Sequence, residues 1–135
     1  MDGEANEMQR VSHPFAPVYN SRSRILILGS MPSVLSRRSG FYYGHPQNRF
    51  WHVLAALYRT DLPRTRTEKE HLLLDHHLAL WDVLESCEIS GSSDSSIRLP
   101  RANDLSPILS ACPIQAILAN GQTAATLYAR HIQPN

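Results

Sequence analysis

The sequence predicts an α/β fold, a three-layer α/β/α arrangement around a central parallel sheet. Two observations carry this expectation. Three short apolar runs, Ile25 to Leu28, Leu78 to Val83 and Ile114 to Ala119, show no alternation, the pattern of strands covered on both faces. Between them lie segments whose apolar residues recur at helical spacing, and strands alternating with helices build a parallel sheet.

The elements follow in order. With 135 residues the chain can build one domain with a genuine core and is too short for two. Residues 1–23 read as a polar leader followed by an extended arm through His13, Pro14, Pro17 and Tyr19, and residues 24–135 as the single domain. Gly29 closes the first strand. From Asn48, the residues Phe50, Trp51, Val53, Leu54, Leu57 and Tyr58 give a helix to about Arg59. Pro63 marks a linker. Thr67 to His77 reads as a second helix, with Thr67 as N-cap and Glu70 completing a capping box.

After the second strand, Glu88 to Asn103 is polar and turn-rich and is expected to be an ordered loop or irregular insert. Asn103 to Ser110 predicts a short helix, Ile114 to Ala119 a third buried strand, and Gln122 to about Arg130 a last helix. A sheet that stops there invites a further strand. The domain is therefore expected to be incomplete at its C-terminus, with Ala124, Ala125, Leu127 and Tyr128 partly uncovered.

Composition narrows the function classes. No apolar run reaches the length of a membrane span, and the opening MDGEANEMQR is unlike a secretory signal. Cys87 and Cys112 make no disulfide framework and read as reduced thiols of a cytoplasmic protein. The formal net charge of +1 excludes a global cationic field, so any nucleic acid must be held by a local patch. Of the 13 basic residues only Lys69 is lysine. Arginine suits bidentate phosphate contacts, and a GC-rich genome would give the same bias.

The stretch GSMPSVLSRRSGFYYGHPQNRFW, Gly29 to Trp51, is the most unusual part of the chain. A buried strand ending in Gly29 and Ser30, then Met31, Pro32 and Ser33, brings backbone N–H groups to the carboxyl edge of a parallel sheet, where open α/β sheets bind ligands. Phe41, Tyr42 and Tyr43 supply flat faces, Gly44, His45 and Pro46 a tight turn, and Asn48 an amide able to orient a water or contact a ligand. Stacking faces, backbone polar groups and an amide are what an extruded nucleobase requires.

This stretch resembles the uracil-DNA glycosylase superfamily, and within it most nearly the hypoxanthine (deoxyinosine) DNA glycosylases. The shared pieces are Gly29 to Ser33, the Tyr-Tyr-Gly-His-Pro-x-Asn run ending at Asn48, Trp81-Asp82-Val83, the Ser92 to Ile97 loop and the Asn120-Gly121 turn. The resemblance covers about residues 13 to 130. It implies a monofunctional glycosylase that hydrolyses the N-glycosidic bond of a deaminated base, hypoxanthine first, in DNA, within base excision repair. It implies DNA as partner, no membrane, and no metal or cofactor.

By the same resemblance Asn48 is the catalytic residue. Gly29, Ser30, Met31, Pro32, Ser33, Tyr43, Gly44 and His45 surround the base, with Tyr43 stacking on it. Arg37, Arg38 and Arg49 are candidate phosphate contacts. Met31 departs from the mismatch-specific branch, which has a water-positioning Asn there. The Ser/Pro-rich loop with which the superfamily grips the flipped nucleotide has no counterpart before Asn135.

Other readings stand beside these. Asn48 is also a favoured helix-start residue. Tyr43, Phe41 and Tyr42 could pack under the loop, and the arginines could be a solvated surface. Asp82 and Asp94 are candidate carboxylates, or the end of a strand and the holder of a turn. The seven histidines show no metal-ligand spacing. The competing functions are a catalytically disabled base or nucleic-acid binder on the same fold, and a small-ligand α/β hydrolase.

Overall fold

The computed structural model describes residues 9–32, 37, 40–44, 48–90 and 96–132. The elements are β1 (Gln9–Ser12), β2 (Ile25–Gly29), α1 (Phe50–Leu57), α2 (Arg66–Asp75), β3 (Leu78–Asp82), β4 (Leu84–Ile89), β5 (Arg98–Ala102), α3 (Ser106–Ala111), β6 (Ala116–Ala119) and α4 (Gln122–His131).

The parallel half forms as the apolar runs predict. β2 is its central strand, flanked by β3 and β6. Ile25 faces Leu78 on one side and Ala116 on the other, and Gly29 ends opposite Asp82. Alternate residues of β2 serve two cores. Leu26 and Leu28 are fully buried with Ala79, Ile108 of α3 and Leu127 of α4. Ile27 packs with Leu78, Leu80, Trp51 and Leu54 of α1, and Leu72 and Leu73 of α2. A fully buried leucine contributes roughly 1.5–3 kcal/mol, so the two sides of β2 anchor all four helices.

The sheet architecture is not wholly parallel. A second sheet is antiparallel and ordered β1-β4-β5; β5 and the end of β4 come from the Glu88 to Asn103 segment expected to be an ordered loop or irregular insert. Only Val83 separates β3 from β4, and it turns the chain from one sheet into the other. The Val83 N–H donates to the Gly29 carbonyl at 2.8 Å and Leu84 N–H to that of Ser30 at 3.2 Å. Asn103 pins the same corner, its Nδ2 donating to the Asp82 carbonyl at 2.9 Å.

The N-terminal arm, from Gln9 on, is built into this framework. β1 pairs with β4 from Gln9↔Ile89 to Ser12↔Ser86. Val18 exchanges two backbone hydrogen bonds with Leu80, both 2.9 Å, closing the outer edge of β3. The opposite edge strand differs from expectation. β6 is not a buried strand: Ala116, Leu118 and Ala119 are exposed, because among the described residues β2 is its one sheet neighbour. On α4, Ala124 and Leu127 are buried, contrary to the uncovered face expected there, whereas Ala125 is exposed and Tyr128 half-buried.

The start of α2 also shifts. The sequence offers two overlapping Thr-x-x-Glu frames, and the fold uses the earlier one. Thr65 is the N-cap; its hydroxyl accepts from Glu68 N–H at 3.1 Å, while Glu68 Oε1 accepts from Thr65 N–H at 3.1 Å and Arg64 N–H at 2.8 Å. The carboxylate thus satisfies two backbone donors, which the Thr67 frame does not do.

Candidate active site

The site region gathers at the carboxyl ends of β2 and β3. The carbonyls of Gly29 and Ser30 are held by the corner after β3, so the loop leaves the sheet in a fixed direction. Gly29 is obligatory for a local reason. A β-carbon there would lie 2.3 Å from Asp82 Oδ1 and 2.8 Å from the Tyr43 hydroxyl.

That carboxylate belongs to a buried pair. His13 Nε2 donates to Asp82 Oδ2 at 2.6 Å, and the two side chains are 3% and 4% exposed. The Nδ1 side of the ring lies against the Phe15 backbone. The pair joins the arm to the end of β3, directly beside the loop. Sequence reasoning weighed Asp82 beside Asp94 as a carboxylate and placed His13 in the arm, but missed their pairing, because the two are 69 positions apart and share no spacing motif.

Tyr43 occupies left-handed backbone, φ 52°, a conformation rarely adopted by aromatic residues. Its hydroxyl accepts from Asn120 Nδ2 at 3.0 Å, and its ring stacks on Phe50 with centroids 4.0 Å apart. Burial, reinforced by the Asp82 charge, pushes the phenol well above its ordinary pKa, so it remains a neutral hydroxyl. Tyr42 and Phe41 are core residues. Tyr42 is 1% exposed and donates to the Ala16 carbonyl at 2.9 Å. Phe41 lies parallel to Trp51, and Trp51 Nε1 donates to the Tyr42 carbonyl.

Asn48 is exposed just before α1. Its Oδ1 accepts from Phe50 N–H at 2.8 Å, which fixes the amide plane through an otherwise orphaned helix donor. Asn48, Tyr43 and Gly44 line one cavity of about 210 Å³. The fold therefore brings these three expected site residues together.

The others are distributed differently. The Met31 side chain is buried among Leu26, Leu28, Cys87 and Leu105, so only its backbone can face a ligand. Pro32 is buried, and its carbonyl accepts from Arg37 Nη1 at 2.9 Å. Burial lowers the Arg37 pKa, with Cys87 acting in the opposite sense; this arginine braces the loop. Ser30 is half-buried and Arg49 is exposed at the N-cap of α1. Ser33, Arg38, His45 and Asp94 lie outside the described residues.

The family model that describes the uracil DNA glycosylase superfamily matches residues 16–134. The chain belongs to the uracil DNA glycosylase superfamily. Its similarity to relatives runs over most of the chain. A protein of Methanosarcina barkeri named hypoxanthine DNA glycosylase is 34% identical over 110 residues, 80% of this chain and 70% of the relative. One of the same name from Methanosarcina acetivorans is 35% identical over 116 residues, 84% of this chain and 73% of the relative. A solution NMR structure from M. acetivorans, described as a candidate uracil DNA glycosylase, superposes with a TM-score of 0.74. It is 34% identical, over 90% of this chain and 76% of that one. Within the superfamily frame, Gly29 ends the central strand, and Tyr43 and Asn48 stand between it and α1. No helix among the described residues is long and apolar enough to cross a membrane.

Proposed function

We infer that this chain is a DNA glycosylase that hydrolyses the N-glycosidic bond of a deaminated base in DNA, with hypoxanthine as the first substrate. The observation that carries the reading is the shared cavity of Asn48, Tyr43 and Gly44 at the carboxyl edge of an α/β/α scaffold. The names of relatives at 34% and 35% identity support the choice of base.

In this reading the enzyme extrudes the nucleotide, at a cost of a few kcal/mol in unstacking. Phe50 covers one face of the Tyr43 ring, so the base stacks on the other. Asn48 Oδ1 spends one lone pair on Phe50 N–H; the second accepts an O–H of water and aims its oxygen at C1′ of the sugar. The water oxygen bonds C1′ as the C1′–N bond breaks, and that bond's electron pair leaves with the base. The water gives up a proton to solvent and the base takes one back, and backbone donors between Ser30 and Ser33 stabilise the charge developing on the base. Arg49, exposed at the N-cap of α1, is a candidate phosphate contact; the phosphate role expected of Arg38 and the base-binding role expected of His45 fall outside the described residues.

The test is incubation with duplexes carrying hypoxanthine, uracil or xanthine at one position, followed by alkaline strand cleavage. Cleavage at hypoxanthine in excess of the others is expected. Binding without cleavage at any of them would favour the disabled binder, and turnover of small esters or free nucleosides the hydrolase.

A further inference from the structure

The aromatic floor of the loop carries a pair of cations that the fold supplies from a different element. Lys69 Nζ on α2 sits 5.5 Å from the centre of the Trp51 ring. One turn earlier, Arg66 Cζ sits 5.1 Å from that of Phe41. Those two rings lie nearly parallel, 14° apart, so α2 holds its cations over a single platform, in the attractive geometry of a cation over a π face.

Lys69 and Arg64 also line the cavity shared by Tyr43, Gly44 and Asn48. The nearby carboxylates are turned to other tasks. Glu68 is committed to the backbone at Arg64 and Thr65, which holds its pKa below the ordinary value, and it lines the neighbouring depression. Glu70 lies 3.9 Å from Arg66. Among the described residues Lys69 has no ion-pair partner, and it is partly buried, which lowers its pKa. An uncompensated, half-desolvated cation facing a cavity creates a place for an anion.

We propose that Lys69 and Arg64 bind a backbone phosphate of the DNA strand, the one flanking the extruded nucleotide. The proposal takes its ligand from the glycosylase reading above. With the base at the sheet edge beside Gly29 and the sugar at Asn48, the strand's next anionic group falls toward α2. These two cations then hold the strand in register while carrying no sequence information.

The test is the salt dependence of binding to a hypoxanthine duplex and to the same duplex undamaged, by fluorescence anisotropy across a KCl series. Each lost phosphate contact lowers the slope of log K against log[salt] by about 0.9. Lys69→Gln is expected to lower it by about one, equally for both duplexes, and Lys69→Arg to restore it. Arg64→Gln, on an exposed linker residue, provides a variant that leaves the core intact and should behave likewise.

A single methylphosphonate placed in turn at each position flanking the lesion locates the group. At one position it should weaken wild-type binding and leave the Lys69→Gln/Arg64→Gln double variant unaffected. Unchanged slopes in both Gln variants, or equal weakening of wild type and variant at every methylphosphonate, would overturn the site. Excision is scored separately on the same duplex. Excision with unchanged slopes removes the phosphate site and leaves the glycosylase; altered slopes without excision do the reverse.

Discussion

Asn48 has one observed contact and one proposed role on a single amide, and the two can be measured apart. Its oxygen accepts from Phe50 N–H at the start of α1, so Asn48→Ala should cost about 0.5–1.5 kcal/mol of stability, the net contribution of one hydrogen bond. If the same oxygen also aims the attacking water, excision should fall by about 10²–10³-fold, the scale for one aimed polar group. Single-turnover excision and a thermal melt on the same preparation separate the effects, and wild-type turnover in the variant would take Asn48 out of the mechanism. Gly29 makes a sharper demand. Because Asp82 is anchored by His13, the carboxylate that a new β-carbon would strike at 2.3 Å cannot simply swing away. Gly29→Ala should destabilise by about 1–3 kcal/mol, the usual cost of overpacking, read from the denaturant midpoint. At this scale the sequence was informative where residues cluster. Asn48 and Tyr43 were legible from a continuous loop motif. The His13–Asp82 pair was not, since its partners meet only once the arm crosses the sheet.

Helices and strands reveal why some boundaries were readable and others were not. β2 and β3 were visible because burial on both faces writes an unbroken apolar run. β4 and β5 were not, because LESCEI mixes buried and exposed positions, RLPRA has none fully buried, and their pairing carries register shifts; a polar strand looks like a loop. The α2 start was misread by two residues, since both Thr frames satisfy the capping pattern. That error yields a clean comparison: Thr65→Ala should cost about 0.5–2 kcal/mol and Thr67→Ala almost nothing. The Glu68 half of the box adds a pH signature. Its pKa is lowered in the folded state, so its contribution is present above the ordinary glutamate range and lost as pH falls through the lowered value. The melting temperatures of wild type and Glu68→Gln should therefore converge in acid. α1 ends in a Schellman motif, with Thr60 N–H donating to the Ala55 carbonyl and Arg59 N–H to that of Ala56. Arg59 takes the left-handed position at φ 54°, where glycine is favoured. Arg59→Gly should raise stability by up to about 1 kcal/mol, visible as a higher urea midpoint.

Across the whole molecule, the arm is a bolt between two sheets. β1 pairs with β4, His13 bonds Asp82 of β3, and Val18 bridges Leu80. His13→Ala would leave a buried carboxylate without its partner, a loss of about 3–5 kcal/mol, large enough to be measured as a fall in the chemical-denaturation midpoint. Sequence reading recognised the arm as extended but not its structural task, because nothing in residues 9–18 announces a partner many positions away. The two thiols provide a way to watch the halves of this assembly in time. Cys87, on β4, is 0% exposed and Cys112, after α3, is 6% exposed; burial also raises the Cys112 pKa, so little reactive thiolate forms there. A thiol-selective dye reaches each sulfur only during an opening event. The labelling rate at Cys87 then becomes a stopwatch for the antiparallel sheet, and that at Cys112 for the α3–β6 side. Comparing the two rates with and without lesion DNA would tell which half of the protein a bound strand quiets.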